Sequence, residues 1–159
     1  MANDVRLRAV EEGDLPIFFE QQLDPEATRM AAFPSRAQDA FMAHWAKIRA
    51  APDGVFLRTI EFQGKVAGNL CCWKQADERL VGYWLGREFW GQGVATAALS
   101  LYLGVVKMRP IHARVAKHNA ASIRVLQKCG FILSGEDKFP AEDGAEVEEL
   151  IMILSAISQ

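Results

Sequence analysis

A glycine-rich turn in the second half of the chain places the strongest constraint on the fold. Its sequence is Trp90-Gly91-Gln92-Gly93-Val94-Ala95-Thr96. The apolar run before it, residues 80–85, is typical of a buried strand. The apolar residues after it recur every three or four positions, as on one face of a helix. The sequence therefore predicts a strand and a helix that are joined by a tight turn.

Such a turn can bind a phosphate group through its backbone. The first N–H groups of a helix lack internal acceptors, this end of the helix is partly positive, and glycines let a ligand approach the main chain. A nucleotide-hydrolase loop is excluded because no Gly-Lys-Ser or Gly-Lys-Thr is present. A dinucleotide fingerprint would need glycine where Thr96 stands. A turn whose glycines serve close packing alone remains the alternative.

Composition excludes several classes of protein. The chain has 159 residues and a formal net charge of -2, which fits one domain with a substantial core and argues against a dedicated nucleic-acid-binding protein. No apolar run is long enough to span a membrane, and the N-terminal residues lack the apolar core of a signal peptide. We therefore expect a cytoplasmic protein that contacts no nucleic acid and no membrane.

The cysteines are predicted to be core thiols. Cys71 and Cys72 are neighbours on a predicted strand, so their side chains point to opposite faces, and Cys129 directly follows a predicted helix. Cysteine and histidine do not occur at the spacings of a metal site, so no metal ligand is predicted. Reduced thiols agree with a cytoplasmic location.

The order of the predicted elements defines the fold class. Hydrophobic periodicity and turn residues predict strands at residues 5–10, 55–62, 65–73, 80–85, 111–116, 131–134 (or as far as 139) and 146–154. They predict helices at residues 15–23, 35–50, 94 to near 108, and 119–128. Residues 24–35 are predicted to form a connecting loop. This order indicates an α+β, or mixed α/β, domain that is built on one sheet.

A second group of residues begins the last predicted helix. Asn119 is a good N-cap residue, and Ser122 falls at the third helical position. Taken alone, these residues predict no more than a capped helix whose inner face carries Val125, Leu126 and Cys129.

Both groups of residues resemble motifs of the GCN5-related N-acetyltransferases (GNAT). The acyl-coenzyme A loop of that family has Arg or Gln, two residues, Gly, one residue, and then Gly or Ala; Trp90, Gly93 and Ala95 stand at these positions. The stretch GYWLGREFWGQGVATAAL resembles the branch that includes ribosomal-protein N-terminal acetyltransferases, in which Trp or Tyr is familiar at the first position. Residues 119–131 match the Asn-x-x-Ser-x-x-x-Leu-x-x-x-Gly-Phe signature of the same branch.

The resemblance implies a fold and an activity. The implied fold is a single GNAT-like domain at residues 3–157, with a central, mostly antiparallel, twisted sheet of about seven strands and about four flanking helices. The implied activity is the direct transfer of an acetyl group from acetyl-CoA to a primary amine, which is either a protein N-terminus or a small-molecule amine. The implied partners are therefore acetyl-CoA and an amine acceptor.

The resemblance also implies roles for individual residues. The backbone of the glycine turn would bind the pyrophosphate of the coenzyme, and the strand before the turn would pair with the pantetheine arm. Asn119 would hold that arm or a catalytic water, and Ser122 would lie near the sulfur and donate a proton to the departing thiolate. The predicted catalytic residues are Ser122 and Asn119. The predicted coenzyme-binding residues are Tyr83, Trp84, Leu85, Trp90, Gly91, Gln92, Gly93, Val94, Ala95, Thr96, Asn119 and Ser122.

The general base and the acceptor stay open at this point. Relatives often carry Glu at the position of Leu80, and leucine cannot accept a proton. The candidates for the base are Glu61, Glu78, His112, His118 and Glu149. The two early helices and the loop at residues 24–35 usually form the wall of the acceptor site in this family.

Other functions remain as alternatives. A non-catalytic domain that binds or senses acyl-CoA would account for Leu80. A structural or partner-binding module would bind no coenzyme at all. A homodimer formed through a sheet edge or the second helix is compatible with the sequence.

Overall fold

The computed structural model describes residues 4–51, 56–141 and 144–155. The two ends of the predicted domain, residues 3 and 157, lie outside these ranges, as does Val55, the predicted first residue of the second strand.

A single seven-stranded sheet forms the centre of the molecule, with the strand order β1-β2-β3-β4-β5-β7-β6. The strands are β1 Val5–Arg8, β2 Phe56–Phe62, β3 Lys65–Gln75, β4 Glu78–Leu85, β5 Ile111–Ala116, β6 Ile132–Pro140 and β7 Glu146–Leu154. All neighbouring strands are antiparallel except β4 and β5, which are parallel. This arrangement confirms the predicted α+β fold class and the mostly antiparallel sheet.

Among the described residues, five helices flank the sheet, where about four were predicted. They are α1 Leu15–Gln22, α2 Pro25–Ala31, α3 Gln38–Arg49, α4 Val94–Val105 and α5 Ala120–Lys128. The longest of these has 12 residues, and among the described residues no helix has the length and apolarity that a membrane crossing needs.

The predicted loop at residues 24–35 is wrong, because it contains α2. Asp24 caps this helix by accepting a hydrogen bond from the backbone N–H of Ala27, and Pro25 occupies the first helical position, where its missing N–H costs nothing. Ala32 ends the helix in the left-handed conformation. The predicted start of the second helix at residue 35 is also wrong, since α3 begins at Gln38 and Ala37 is its N-cap residue.

Two apolar clusters pack against opposite faces of the sheet. The larger cluster lies between the sheet and helices α4 and α5, and its most buried members include Tyr102, Phe131 and Leu99. The smaller cluster lies under α1 and α3 and includes Phe18 and Trp45. Each fully buried side chain of this size stabilises the fold by roughly 1.5–3 kcal/mol. We name the two sides the α4–α5 face and the α1–α3 face.

A buried polar network fixes β1 against β2 on the α1–α3 side. Asp14 is 3% exposed; its carboxylate accepts hydrogen bonds from the Arg8 guanidinium at 2.8 and 2.9 Å and from the Thr59 hydroxyl at 2.7 Å. Burial alone would raise the pKa of Asp14, but these hydrogen bonds outweigh it and lower the pKa to about 2. The same guanidinium binds Glu61 at 2.6 Å. Glu61 is therefore part of this structural network.

The strands β4 and β5 separate from each other along their length. Their parallel pairing joins Leu80 to His112, near the start of each strand. Beyond that point β3 continues to pair with β4, and β7 continues to pair with β5. The C-terminal halves of β4 and β5 therefore leave a gap in the sheet.

Candidate active site

A cavity of about 510 Å³ occupies the gap between β4 and β5. Residues 81–85 of β4 and 113–116 of β5 form its sides. Helices α4 and α5 contribute to it on one face of the sheet, and α2 contributes on the other. The cavity is therefore lined from both faces of the sheet, and we describe these two sets of lining residues as its two mouths. We call them the α5 mouth, formed by residues 90–96 and by α5, and the α2 mouth, formed by α2, Arg114 and Glu149.

The glycine turn leaves the start of α4 uncapped at the α5 mouth. Gly93 is the N-cap residue with φ of 78°, and Gly91 has φ of 75°, so both adopt the left-handed conformation that glycine accepts most readily. No side chain caps this helix. The first-turn N–H groups of Val94, Ala95 and Thr96 consequently lack intrahelical acceptors and can bind an anion.

Trp90 fixes the path of the chain into this turn. Its ring Nε1–H donates a hydrogen bond to the backbone oxygen of Leu85 at 3.0 Å, and the short 3₁₀ turn at Arg87–Phe89 lies between the two residues. A tryptophan can make this bond and pack against the turn, which explains how it serves at a position where Arg or Gln is usual.

Two hydroxyl groups meet inside the cavity. The Tyr83 hydroxyl and Ser122 Oγ lie 2.9 Å apart, and both residues line the cavity. The side-chain oxygen of Asn119 accepts a hydrogen bond from the backbone N–H of Ser122 at 3.2 Å, so Asn119 caps α5 as its sequence position predicted. Burial raises the pKa of Tyr83, so the phenol stays protonated at neutral pH and can donate a hydrogen bond.

Cationic side chains border the α5 mouth. Arg124 and Lys128 lie one helical turn apart on α5, and both line the cavity. Neither makes an ion pair with any of the described residues. This mouth therefore presents free positive charge beside an uncapped helix N-terminus.

The α2 mouth is built differently, from apolar residues and an ion pair. Ala27, Met30 and Ala31 of α2 line it, together with Arg114 and Glu149. Arg114 Nη1 donates hydrogen bonds to Glu149 Oε1 at 2.5 Å and to Asp137 Oδ2 at 3.1 Å. The Glu149 side chain is 15% exposed. The hydrogen bond between Arg114 and Glu149 is the main reason that the pKa of Arg114 is raised.

The strand register places this ion pair on the α1–α3 face. Ala113 and Val115 belong to the cluster under α4 and α5, so Arg114 and Ala116 face the other way. Glu149 pairs across strands with Ala116 and therefore shares its face. Tyr83, by contrast, reaches Ser122 on the α4–α5 face.

Two polar contacts hold α2 over its mouth. Arg87 Nη1 lies 3.0 Å from Asp24 Oδ1, the N-cap carboxylate of α2. His118 Nε2 lies 2.7 Å from the backbone oxygen of Arg29, in the last turn of α2. Because Arg87 precedes the glycine turn and His118 precedes Asn119, α2 is attached to both segments that form the α5 mouth.

All of the residues predicted to bind the coenzyme line the cavity except Gln92. The Gln92 side chain instead donates a hydrogen bond from Nε2 to the backbone oxygen of Glu88 at 3.0 Å. The cavity thus brings together the glycine turn, residues 83–85 and the Asn119–Ser122 pair, which are separated by up to one helix and one strand in the sequence.

The candidates for the general base occupy different places. Glu78 and His112 line a second, smaller cavity of about 270 Å³ at the other end of the strands, and His118 is bonded to α2. Leu80 is 3% exposed and lies outside the main cavity lining. Glu149 is the one candidate that lines the main cavity.

Sequence reasoning expected residues 24–35 in the wall of the acceptor site but missed that they contain the helix α2, and it did not name Arg114 as part of the site. The signal for α2 was present, because Asp followed by Pro is a typical start of a helix. Arg114 carried no comparable signal on its strand. Within the described part of the chain, no group of three or more His, Cys, Asp or Glu side chains is placed to hold a metal ion.

A comparison with protein families and curated proteins gave one match. The sequence model of the acetyltransferase (GNAT) domain family matches residues 4–132. No curated protein matches the chain.

Several solved structures share the fold. Spermidine N-acetyltransferase from Vibrio cholerae, in complex with CoA and spermine, is 16% identical with a TM-score of 0.83, and the match covers 96% of each chain. RimJ from Mycobacterium smegmatis, in complex with CoA-disulfide, is 24% identical with a TM-score of 0.78, over 96% of this chain and 82% of that one. A putative phosphinothricin N-acetyltransferase is 20% identical with a TM-score of 0.79, over 97% of this chain and 99% of that one.

Proposed function

Because the chain belongs to the GNAT family of acetyltransferases, as the resemblance in its sequence predicted, we propose that it transfers an acetyl group from acetyl-CoA directly to a primary amine. We propose that residues 3–157 act as one domain in this reaction. The solved structures with the same fold include complexes with CoA, which supports acetyl-CoA as the donor.

The α5 mouth fits the coenzyme. The unpaired N–H groups of Val94, Ala95 and Thr96 suit the pyrophosphate. Since β5 turns away from β4, the backbone of residues 83–85 is free on that edge and can pair with the pantetheine arm like a further strand. An N–H group on this edge can also stabilise the oxyanion of the thioester.

The reaction that this arrangement supports has one chemical stage. The neutral amine nitrogen adds to the thioester carbonyl carbon, the C–S bond breaks, and the sulfur leaves with the electron pair as a thiolate. The nitrogen releases a proton to water, and the thiolate gains one from Ser122, which regains a proton from water, so that Ser122 ends the reaction as the neutral hydroxyl bonded to Tyr83. Asn119 positions Ser122 by capping the helix on which it lies.

Direct transfer needs no nucleophile on the protein. None of the described cysteines, Cys71, Cys72 and Cys129, lines the cavity, and burial raises the pKa of each thiol. These thiols are consequently poor nucleophiles at neutral pH.

One observation carries the proposal: a single cavity is lined from both faces of the sheet, and the two sets of lining residues differ in chemistry. Two substrates that enter from opposite faces can therefore meet beside Tyr83 and Ser122. A simple coenzyme-binding pocket would not need the second mouth.

Thiol release tests the proposed function. Purified protein is mixed with acetyl-CoA, and free thiol is followed against a panel of small primary amines and peptides with a free N-terminus. Release that depends on an acceptor would establish the transferase. Coenzyme binding, measured by quenching of the tryptophans near the turn, without release for any acceptor would favour the non-catalytic binding domain that Leu80 motivates. Absence of binding would contradict the site itself.

A further inference from the structure

The second cavity, of about 270 Å³, lies at the end of β4 and β5 where these two strands are paired. The hairpin of β3 and β4 forms one wall, and the segment that leads from α4 into β5 forms the other. Six of its eight lining residues are ionisable: Lys74, Asp77, Glu78, Arg79, Arg109 and His112. The proposed acetyl transfer uses none of these side chains. The polar lining of the second cavity therefore needs its own explanation.

Arg109 is held in place at the second cavity, but no carboxylate balances its charge. Its Nη1 donates hydrogen bonds to the backbone oxygens of Val106 and Met108, both at 2.9 Å, and its Nη2 donates one to that of Leu103 at 3.2 Å. These acceptors lie at and just beyond the end of α4, where carbonyl groups lack intrahelical donors. Arg109 makes no ion pair with any of the described residues. The guanidinium is consequently oriented and still carries an unbalanced positive charge.

Two buried nitrogen atoms of the cavity lining have no hydrogen-bond partner among the described residues. They are Nε of Arg109 and Nδ1 of His112. The other ring nitrogen of His112, Nε2, lies 3.7 Å from Oε2 of Glu78, which is too long for a hydrogen bond, and the histidine side chain is 11% exposed. Buried polar atoms without a partner are rare in folded proteins and commonly mark a bound water or ion. Two of them beside one cavity indicate a polar occupant.

The charges around the second cavity favour an anion over water. Three cationic side chains, those of Lys74, Arg79 and Arg109, line the cavity. They outnumber the two carboxylates, Asp77 and Glu78. Lys74, like Arg109, makes no ion pair within the described part of the chain. Water would supply hydrogen bonds but would leave these charges unbalanced, whereas an oxyanion supplies both the acceptors and the negative charge.

We propose that the second cavity binds a small oxyanion, either a phosphate or a dicarboxylate. Its oxygens accept a hydrogen bond from Arg109 Nε and balance the charge of Lys74. His112 donates a further hydrogen bond in the tautomer that carries the proton on Nδ1. The volume is about 270 Å³ against 510 Å³ for the main cavity, which admits such an ion but not a coenzyme. This site is separate from the glycine turn of the α5 mouth and does not depend on the proposed acetyl transfer.

The first arm of the test follows histidine ring signals by NMR and needs no catalysis. Inorganic phosphate and malonate are titrated separately at neutral pH, with chloride keeping the ionic strength constant. We expect the His112 signals to shift saturably, with a Kd of about 1 mM or tighter for at least one of the two anions. The His118 signals report phosphate that binds at the α5 mouth instead, because His118 directly precedes Asn119. The tighter of the two probes distinguishes a phosphate ligand from a carboxylate ligand.

The second arm uses substitutions that should move the anion affinity in opposite directions. Lys74→Gln removes a cation from the lining and should weaken binding about fivefold. Asp77→Asn removes a negative charge that repels the anion and should strengthen binding about twofold. Lys107→Gln is the matched control, because Lys107 is an exposed cation that directly precedes the lining residue Met108 but does not line the cavity itself. All three substituted side chains are exposed, so each variant should fold normally.

Each outcome decides the proposal. His112 signals that stay in place with both anions would overturn it. Phosphate that moves the His118 signals alone, together with malonate that moves neither set, would place anion binding at the α5 mouth only and would overturn it too. Equal losses of affinity in Lys74→Gln and Lys107→Gln would show a general charge effect and contradict a defined site. Because no measurement uses acetyl-CoA, these outcomes leave the proposed transferase activity untouched.

Discussion

The two mouths of the cavity are built on different principles. The α5 mouth comes from two segments, residues 90–96 and α5, and offers main-chain N–H groups at a glycine turn. The α2 mouth combines three distant segments, α2, Arg114 and Glu149, and offers side chains. Recognition by the main chain leaves a spacing of glycines that can be found in a sequence. Recognition by side chains from separate segments leaves no such pattern.

We expect the largest effect from a substitution in the glycine turn of the α5 mouth. Gly93→Val places a β-branched residue at φ of 78°, a conformation that costs roughly 1–2 kcal/mol for a residue with a Cβ, and the new side chain would stand beside the phosphate site. We expect coenzyme binding to weaken roughly 100-fold. Tryptophan fluorescence titration with acetyl-CoA measures this change.

A control for this substitution lies on the same helix. Gly104→Ala adds a methyl group that meets no atom within 4 Å, and alanine is a better helix former than glycine by about 0.5–1 kcal/mol. This variant should bind the coenzyme normally and melt at a slightly higher temperature. Normal coenzyme binding by Gly93→Val would contradict the phosphate site.

The next effect concerns the gap where the mouths meet. Ser122→Ala removes the hydroxyl that is bonded to Tyr83 but keeps the backbone N–H that Asn119 caps. We expect kcat to fall roughly 100-fold, with little change in coenzyme affinity, because the thiolate loses its proton donor. Steady-state kinetics and a binding titration separate the two quantities. Ser100→Ala, at an exposed position of α4, is the control, and a loss of coenzyme affinity alone in Ser122→Ala would make Ser122 a binding residue.

A third change should affect neither mouth. Asp14→Asn removes a buried carboxylate whose pKa is about 2 in the folded protein and 3.8 in the reference state. This lowered pKa contributes about 2 kcal/mol to the free energy of unfolding above pH 3.8, and the contribution is lost as the pH falls through 2. Urea unfolding at neutral pH and at low pH measures it.

The stability difference between the unaltered protein and Asp14→Asn should shrink as the pH is lowered. Asp77→Asn, in the exposed turn between β3 and β4, should change the free energy of unfolding by less than about 0.5 kcal/mol. A constant difference between pH 7 and pH 2 would show that the charge of Asp14 is not responsible.

The mildest change affects the α2 mouth alone. His118→Ala removes the contact with the backbone oxygen of Arg29. We expect the KM for the acceptor to rise about fivefold, which corresponds to the ~1 kcal/mol of one hydrogen bond, without a change in coenzyme Kd. Arg29→Ala keeps the carbonyl group and should leave the acceptor KM unchanged. Equal shifts of KM and Kd in His118→Ala would mean that the two mouths are not independent.

The parts of the fold that the sequence predicted best are those with a strong local pattern. The strands at residues 111–116 and 146–154 have the predicted bounds, and the predicted turn at residues 90–93 leads into α4. The strand β6 was harder to bound, because eight of its nine residues are exposed and hydrophobic alternation is weak there. Its length is set by pairing with β7, which is a tertiary contact.

The sequence likewise predicted one part of the candidate site and missed another. The positions of Tyr83, Asn119 and Ser122 around one cavity follow from motifs that lie close in the chain. The contact between Arg114 and Glu149 depends on the antiparallel register of β5 and β7, which no single-sequence pattern specifies. The helix α2 was missed because Pro25 was interpreted as a loop residue, although its position after Asp24 permits a helix start.

Only the pairing of Leu80 with His112 joins β4 to β5 among the described residues. The sheet therefore consists of two parts, β1-β2-β3-β4 and β5-β7-β6, with a weakly paired seam between them. Among the neighbouring strands described, β4 and β5 therefore share the fewest paired residues. A ligand that pairs with the free edge of β4, as proposed for the pantetheine arm, would connect the two parts of the sheet. Binding to the folded state alone stabilises a protein by about 2.7 kcal/mol at a ligand concentration of 100 times Kd. In this fold we expect that stabilisation to be largest at the boundary between β4 and β5. The amides of residues 81–85 should then exchange their hydrogens more slowly with the coenzyme bound than without it.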